Sequence, residues 1–88
     1  MRVVILWREN TDYAQTVRTW LHDFYKRTGR TLESLNPDEG EGERLMQAYE
    51  IMQFPSILAL DDNGAVLAHW QGKMLPKIDD VNFYLLAN

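Results

Sequence analysis

The 88-residue chain contains no cysteine. Disulfides and thiol–disulfide exchange, which need a thiol, are therefore closed to it. Its core must hold without covalent staples at a size near the lower limit for doing so. The absence says nothing of compartment, since cytosolic chains and cysteine-free extracellular ones share it. Histidine is scarce too. His22 and His69 stand alone in their segments, with no second ligand at metal spacing. No apolar run approaches the roughly 20 residues of a membrane helix. The apolar stretch after Met1 is only Val3-Val4-Ile5-Leu6-Trp7, too short for a signal peptide, so the expected location is cytoplasmic. Positive charge is in deficit, with 9 Lys and Arg against 13 Asp and Glu and a net charge of −4, which argues against a nucleic-acid partner. Lys26, Arg27 and Arg30 gather where a helix should end, and the helix dipole explains them.

What the chain does have is apolar material: 45% of its residues, including three Trp, four Tyr and three Phe, enough for a folded core. Val3 to Trp7 is continuous and rich in β-branched residues, as a strand buried on both faces requires. Ala14, Val17, Trp20, Leu21, Phe24 and Tyr25 then recur at helical spacing and predict one apolar helix face. Asn10, Thr11 or Asp12 is expected to cap that helix and Gly29 to stop it. Leu32 and Leu35, within Thr31–Asn36, predict a second strand, and Asn36-Pro37-Asp38 a turn.

Asp38-Glu39-Gly40-Glu41-Gly42-Glu43 reads as an acidic loop entering a helix, its carboxylates favoured by the dipole. The ligand spacing of a calcium loop and its distal bidentate glutamate are missing. Leu45, Ala48, Tyr49 and Met52 are expected to form the buried face of that helix. Met46, Met52 and Met74 are expected as core filler. Pro55 then starts a strand, Asp62-Asn63-Gly64 turns a hairpin, and Ala65–Trp70 returns. Pro76 suits the first turn of a last helix lined by Ile78, Val81 and Leu85. Asp79 and Asp80, adjacent in that helix, are expected to point apart into solvent. The order β-α-β-α-β-β-α predicts an α/β domain with a mixed four-stranded sheet flanked by three helices. Its strand–helix–strand unit is parallel and its hairpin antiparallel.

This order, together with Leu6–Ala14, Leu35–Asp38, Tyr49–Ile51, Phe54-Pro55-Ser56, Asp62-Asn63-Gly64 and Gln71-Gly72, resembles the thioredoxin-like superfamily over nearly the whole chain. The resemblance implies one thioredoxin-like domain over residues 1–88, closer in size to a glutaredoxin than to a full thioredoxin. Trp7 and Glu9 fall where the family often has the same residues. Thr11 and Ala14 then take the two cysteine positions, with Asp12 and Tyr13 between them. A second register puts Arg8 and Thr11 there instead. The first is preferred because it keeps Val17, Trp20, Leu21 and Phe24 on the buried face. Either way both cysteines are gone, and with them dithiol–disulfide oxidoreductase activity.

The resemblance further implies a cis Phe54–Pro55 bond that leaves the Phe54 backbone free to pair with an extended segment of a partner. The expected groove is made by Trp7, Thr11, Asp12, Tyr13, Ala14, Phe54, Pro55 and Gly72. Its bland alternative is that Trp7, Tyr13 and Phe54 are core edge and Thr11 a helix cap. No catalytic residue, cofactor or metal is expected. The expected partner is a protein or extended peptide. A glutathione-type ligand near Thr11, Phe54, Pro55 and Gly72, with Arg8 and Lys73 as the nearest cations, is the competing reading. A purely structural packing domain is the third.

Overall fold

A computed structural model describes residues 1–86, so the last two positions of the expected domain, Ala87 and Asn88, lie outside the described residues. The elements follow the expected order: β1 (Arg2–Leu6), α1 (Ala14–Thr28), β2 (Glu33–Leu35), α2 (Gly40–Ala48), β3 (Ser56–Leu60), β4 (Val66–Gln71) and α3 (Ile78–Leu86). They form one sheet in the order β2-β1-β3-β4, with β1 parallel to β2 and the other pairs antiparallel. This is the mixed four-stranded, three-helix arrangement that the alternating patterns predict.

The alternation of side chains along β1 and β3 divides the core in two. Val3, Ile5 and Trp7 join Ile57 and Ala59 under α1 and α3, packing on Val17, Phe24 and Val81. Val4 and Leu6 join Leu58 and Leu60 on the opposite face, under Leu45, Met46 and Tyr49 of the α2 segment. The register pairs Ile5 with Ile57 and Val4 with Leu58, so each face is apolar across both strands. A fully buried Val, Ile or Leu contributes roughly 1.5–3 kcal/mol, and these two central strands supply most such residues.

Local chemistry sets the element ends. Gly29 takes the left-handed conformation at φ 73° and closes α1, its N–H donating to the Tyr25 carbonyl at 2.8 Å. The hairpin is a three-residue loop, Asp62–Gly64. The Asp61 carboxylate accepts the N–H groups of Asn63 and Ala65, and the Gly64 N–H donates to the Asp61 carbonyl. Gly42 fits where a side chain would not: a Cβ there would stand 2.0 Å from the Asn36 carbonyl oxygen.

Several expectations are corrected. Tyr25 is 55% exposed, because the residue after Phe24 lies about 100° round the helix. Met52 and Met74 are solvent-facing, and of the three expected filler methionines only Met46 packs on the core. Ala48 is exposed as well. The cause for Met52 is the exit of α2. Glu50 takes φ 53°, Ile51 donates back to the Met46 carbonyl and Glu50 to that of Gln47. This Schellman turn buries Ile51 and throws Met52 outward. The second strand is shorter than expected, with Leu32 buried just before it. Pro76 precedes the first turn of α3 and offers its carbonyl to the Trp20 indole N–H at 2.9 Å.

Candidate functional site

The β1–α1 connection and the start of α1 carry Thr11 and Ala14, the residues that the resemblance sets at the two cysteine positions. Trp7 continues the ladder, its N–H donating to the Leu35 carbonyl, and its buried indole N–H donates to Ser34 Oγ at 2.5 Å. The Arg18 guanidinium lies 5.7 Å over the same ring. Thr11 does not cap α1. Its hydroxyl donates backward to the Arg8 carbonyl at 2.8 Å, while the Ala14 N–H reaches the Thr11 carbonyl in a tight turn. Tyr13 takes the N-cap position without a side-chain cap bond, because its ring is buried and its phenol oxygen accepts the Arg8 N–H at 2.9 Å. Ala14 is buried under it. The hydroxyl and the phenol thus hold the loop rather than face a reactant.

Three loops close around Phe54. The Phe54–Pro55 bond is cis. Pro55 is buried, and its carbonyl accepts the Gly72 N–H at 2.9 Å, tying the loop after β4 to the loop before β3. Lys73 forms an ion pair with Asp12, bringing the turn before α1 to the same place. Arg8 spreads over the half-buried Phe54 ring at 4.6 Å and makes a two-point pair with Asp38 at 2.8 Å for each bond. Within the described residues, neither the N–H nor the carbonyl of Phe54 is hydrogen-bonded. Backbone groups left unpaired in this way are satisfied by water or by a partner.

The expected residues therefore separate. Asp12, Phe54, Pro55 and Gly72 come together, with Thr11 and the buried Tyr13 and Ala14 supporting one side. Trp7 and Thr11 border a different space, a polar cleft of about 510 Å³ that Arg8, Glu9, Ser34 and Asp38 also line and that Phe54 does not enter. Arg8 and Lys73, the cations nearest the groove, are each engaged by a carboxylate of the domain. The matching direction is felt by the acids: Arg8 holds the Asp38 carboxyl, and Lys73 the Asp12 carboxyl, below the usual range. Nothing local in the sequence pairs Arg8 with Asp38. They meet because β1 and β2 run parallel and end side by side, with Leu6 opposite Leu35.

No protein-family model and no curated protein matches the sequence. Solved structures do. Thioredoxin 1 from the thermophilic eubacterium Thermosipho africanus superposes with a TM-score of 0.64 at 10% identity, over 98% of this chain and 91% of that one. A malarial protein gives a TM-score of 0.64 at 16% identity, over 96% and 91% of the two chains. A thioredoxin from Thermus thermophilus gives 0.58 at 18% identity, over 96% and 70%. The chain has the thioredoxin-like fold, and it carries none of the cysteines that thiol–disulfide exchange requires.

Proposed function

We propose that the chain is one redox-inactive thioredoxin-like domain that holds an extended segment of a protein partner along the Phe54–Pro55 loop. The observation that carries this reading is the pair of unbonded backbone groups on Phe54, set among three loops that are tied to one another. An extended peptide satisfies such groups by strand addition. Apolar side chains then have Phe54, and the exposed Met52 and Met74 lie two residues before Phe54 and two after Gly72 in the chain, where methionine adapts to varied apolar shapes.

The chemistry at the old redox position supports binding over catalysis. The Thr11 hydroxyl is committed to a carbonyl and Ala14 has no reactive group. The glutathione-type alternative has no such support, because both nearby cations are already paired.

Peptides selected for binding from a random display library provide the test. Phe54→Ala is expected to weaken the selected peptides about tenfold or more, with the variant's folding checked by circular dichroism. Selected peptides that bind without slowing hydrogen exchange at the Phe54 amide would overturn the assignment.

A further inference from the structure

Phe83 is 62% exposed on α3, a large ring in water that the core does not use. Its neighbour Tyr84 packs on the α1/α3 layer, and the two rings meet edge to face at 5.1 Å and 88°. Trp70, reaching from β4, meets Tyr84 at 5.7 Å and 69°. These three rings, with Asp79 and Asp80, line a cleft of about 430 Å³ between the edge strand and α3. The helix explains the grouping, since Asp79 and Asp80 stand one turn before Phe83 and Tyr84. The two acids, expected to share nothing but solvent, border one space once Trp70 closes it.

Three aromatic rings set at steep angles, with carboxylates beside them, match an organic cation. The ring faces attract positive charge, an effect that grows as the cation leaves water. A methylated ammonium group gives up its weak hydration easily and presents apolar methyls to the rings. An anion would meet two carboxylates, and a neutral ligand would leave Asp80 without a counter-charge. Arg27 already pairs with Asp79 at 2.7 Å, whereas Asp80 has no ion pair among the described residues. Asp80 is therefore the open counter-ion.

We propose that the cleft of Trp70, Asp80, Phe83 and Tyr84 binds a methylated ammonium group. The proposal stands apart from the peptide reading, because no residue of the Phe54–Pro55 loop lines this cleft. The test follows the amide resonances of residues 79–84 and the Trp70 indole during titration with tetramethylammonium chloride. Choline and a trimethyllysine peptide serve as further probes. 3,3-Dimethylbutan-1-ol, which has the shape of choline but is neutral, and sodium chloride at matched ionic strength are the controls.

Saturable shifts with the cations are expected, with the alcohol at least tenfold weaker. Phe83→Ala and Asp80→Asn, both at exposed positions, should each weaken the cations about two- to fivefold. Tighter binding of choline would assign the site to a free amine, and tighter binding of the peptide to a modified protein; either supports the proposal. Absence of cation-induced shifts, or equal binding of the alcohol, would overturn it.

Discussion

Replacing Gly42 by alanine sets two physical effects against each other. In a helix, alanine is favoured over glycine by about 1 kcal/mol, so propensity alone predicts a stabler protein. The structure predicts the reverse. The new Cβ would lie 2.0 Å from the Asn36 carbonyl oxygen and 2.6 Å from its carbon, where real Cβ atoms keep at least 3.0 Å. Both obstructing atoms are backbone, so no rotamer change relieves them, and α2 has to move away from the Asn36 turn. Overpacking of this kind costs about 1–3 kcal/mol, and a backbone clash belongs at the upper end. With the propensity gain subtracted, a net loss of about 2 kcal/mol remains, or a melting temperature lower by about 8–16 °C for a domain of this size. Thermal and urea melts of Gly42→Ala followed by circular dichroism provide the assay. An unchanged or higher Tm would refute the close approach of α2 to the turn that carries Asp38.

Other expectations follow from single contacts. Glu50→Gly should raise stability by about 0.5–1 kcal/mol in the same melts, since Glu50 holds the left-handed C′ position at φ 53° where glycine carries no Cβ penalty. Tyr13→Phe should lower stability by about 1–2 kcal/mol, because it strips the Arg8 N–H of its acceptor inside a buried contact. His69, whose pKa burial depresses below 6.5, binds protons more readily unfolded than folded. Stability should therefore fall as pH drops through about 6.5, and His69→Gln should flatten that part of a urea-midpoint titration. Asp12, Asp38, Glu41 and Asp62 act at lower pH. Lys73, Arg8, Arg2 and the terminal amine respectively lower their folded pKa values, so their contribution is present above the ordinary carboxylate range and lost as pH falls through the depressed values.

The fold was legible because its signals are local. The apolar run of β1, the helical spacing from Ala14 to Phe24 and the turn chemistry at Gly29 and Asp61–Gly64 each act within a few residues. The site was legible only in outline. Whether Thr11 caps the helix or bonds back to Arg8 depends on where the buried Tyr13 ring goes, and that is decided by the core beneath it. Met52 continued the helical spacing of α2, but Glu50, a residue that gives no glycine-like stop signal, ended the pattern with a left-handed turn. The Arg8–Asp38 pair joins residues 30 apart and depends on the parallel register. The Phe83 cleft needs Trp70 from another element, so Asp79 and Asp80 looked like an ordinary solvated face.

The most direct test of the docking account is amide hydrogen exchange at Phe54, measured with and without a selected peptide. The Gly72 N–H, bonded to Pro55 in the free domain, serves as the internal reference. The account predicts fast exchange at Phe54 alone and marked slowing when peptide is bound, with Gly72 slow in both states. Peptide binding that leaves the Phe54 amide exchanging as before would contradict it.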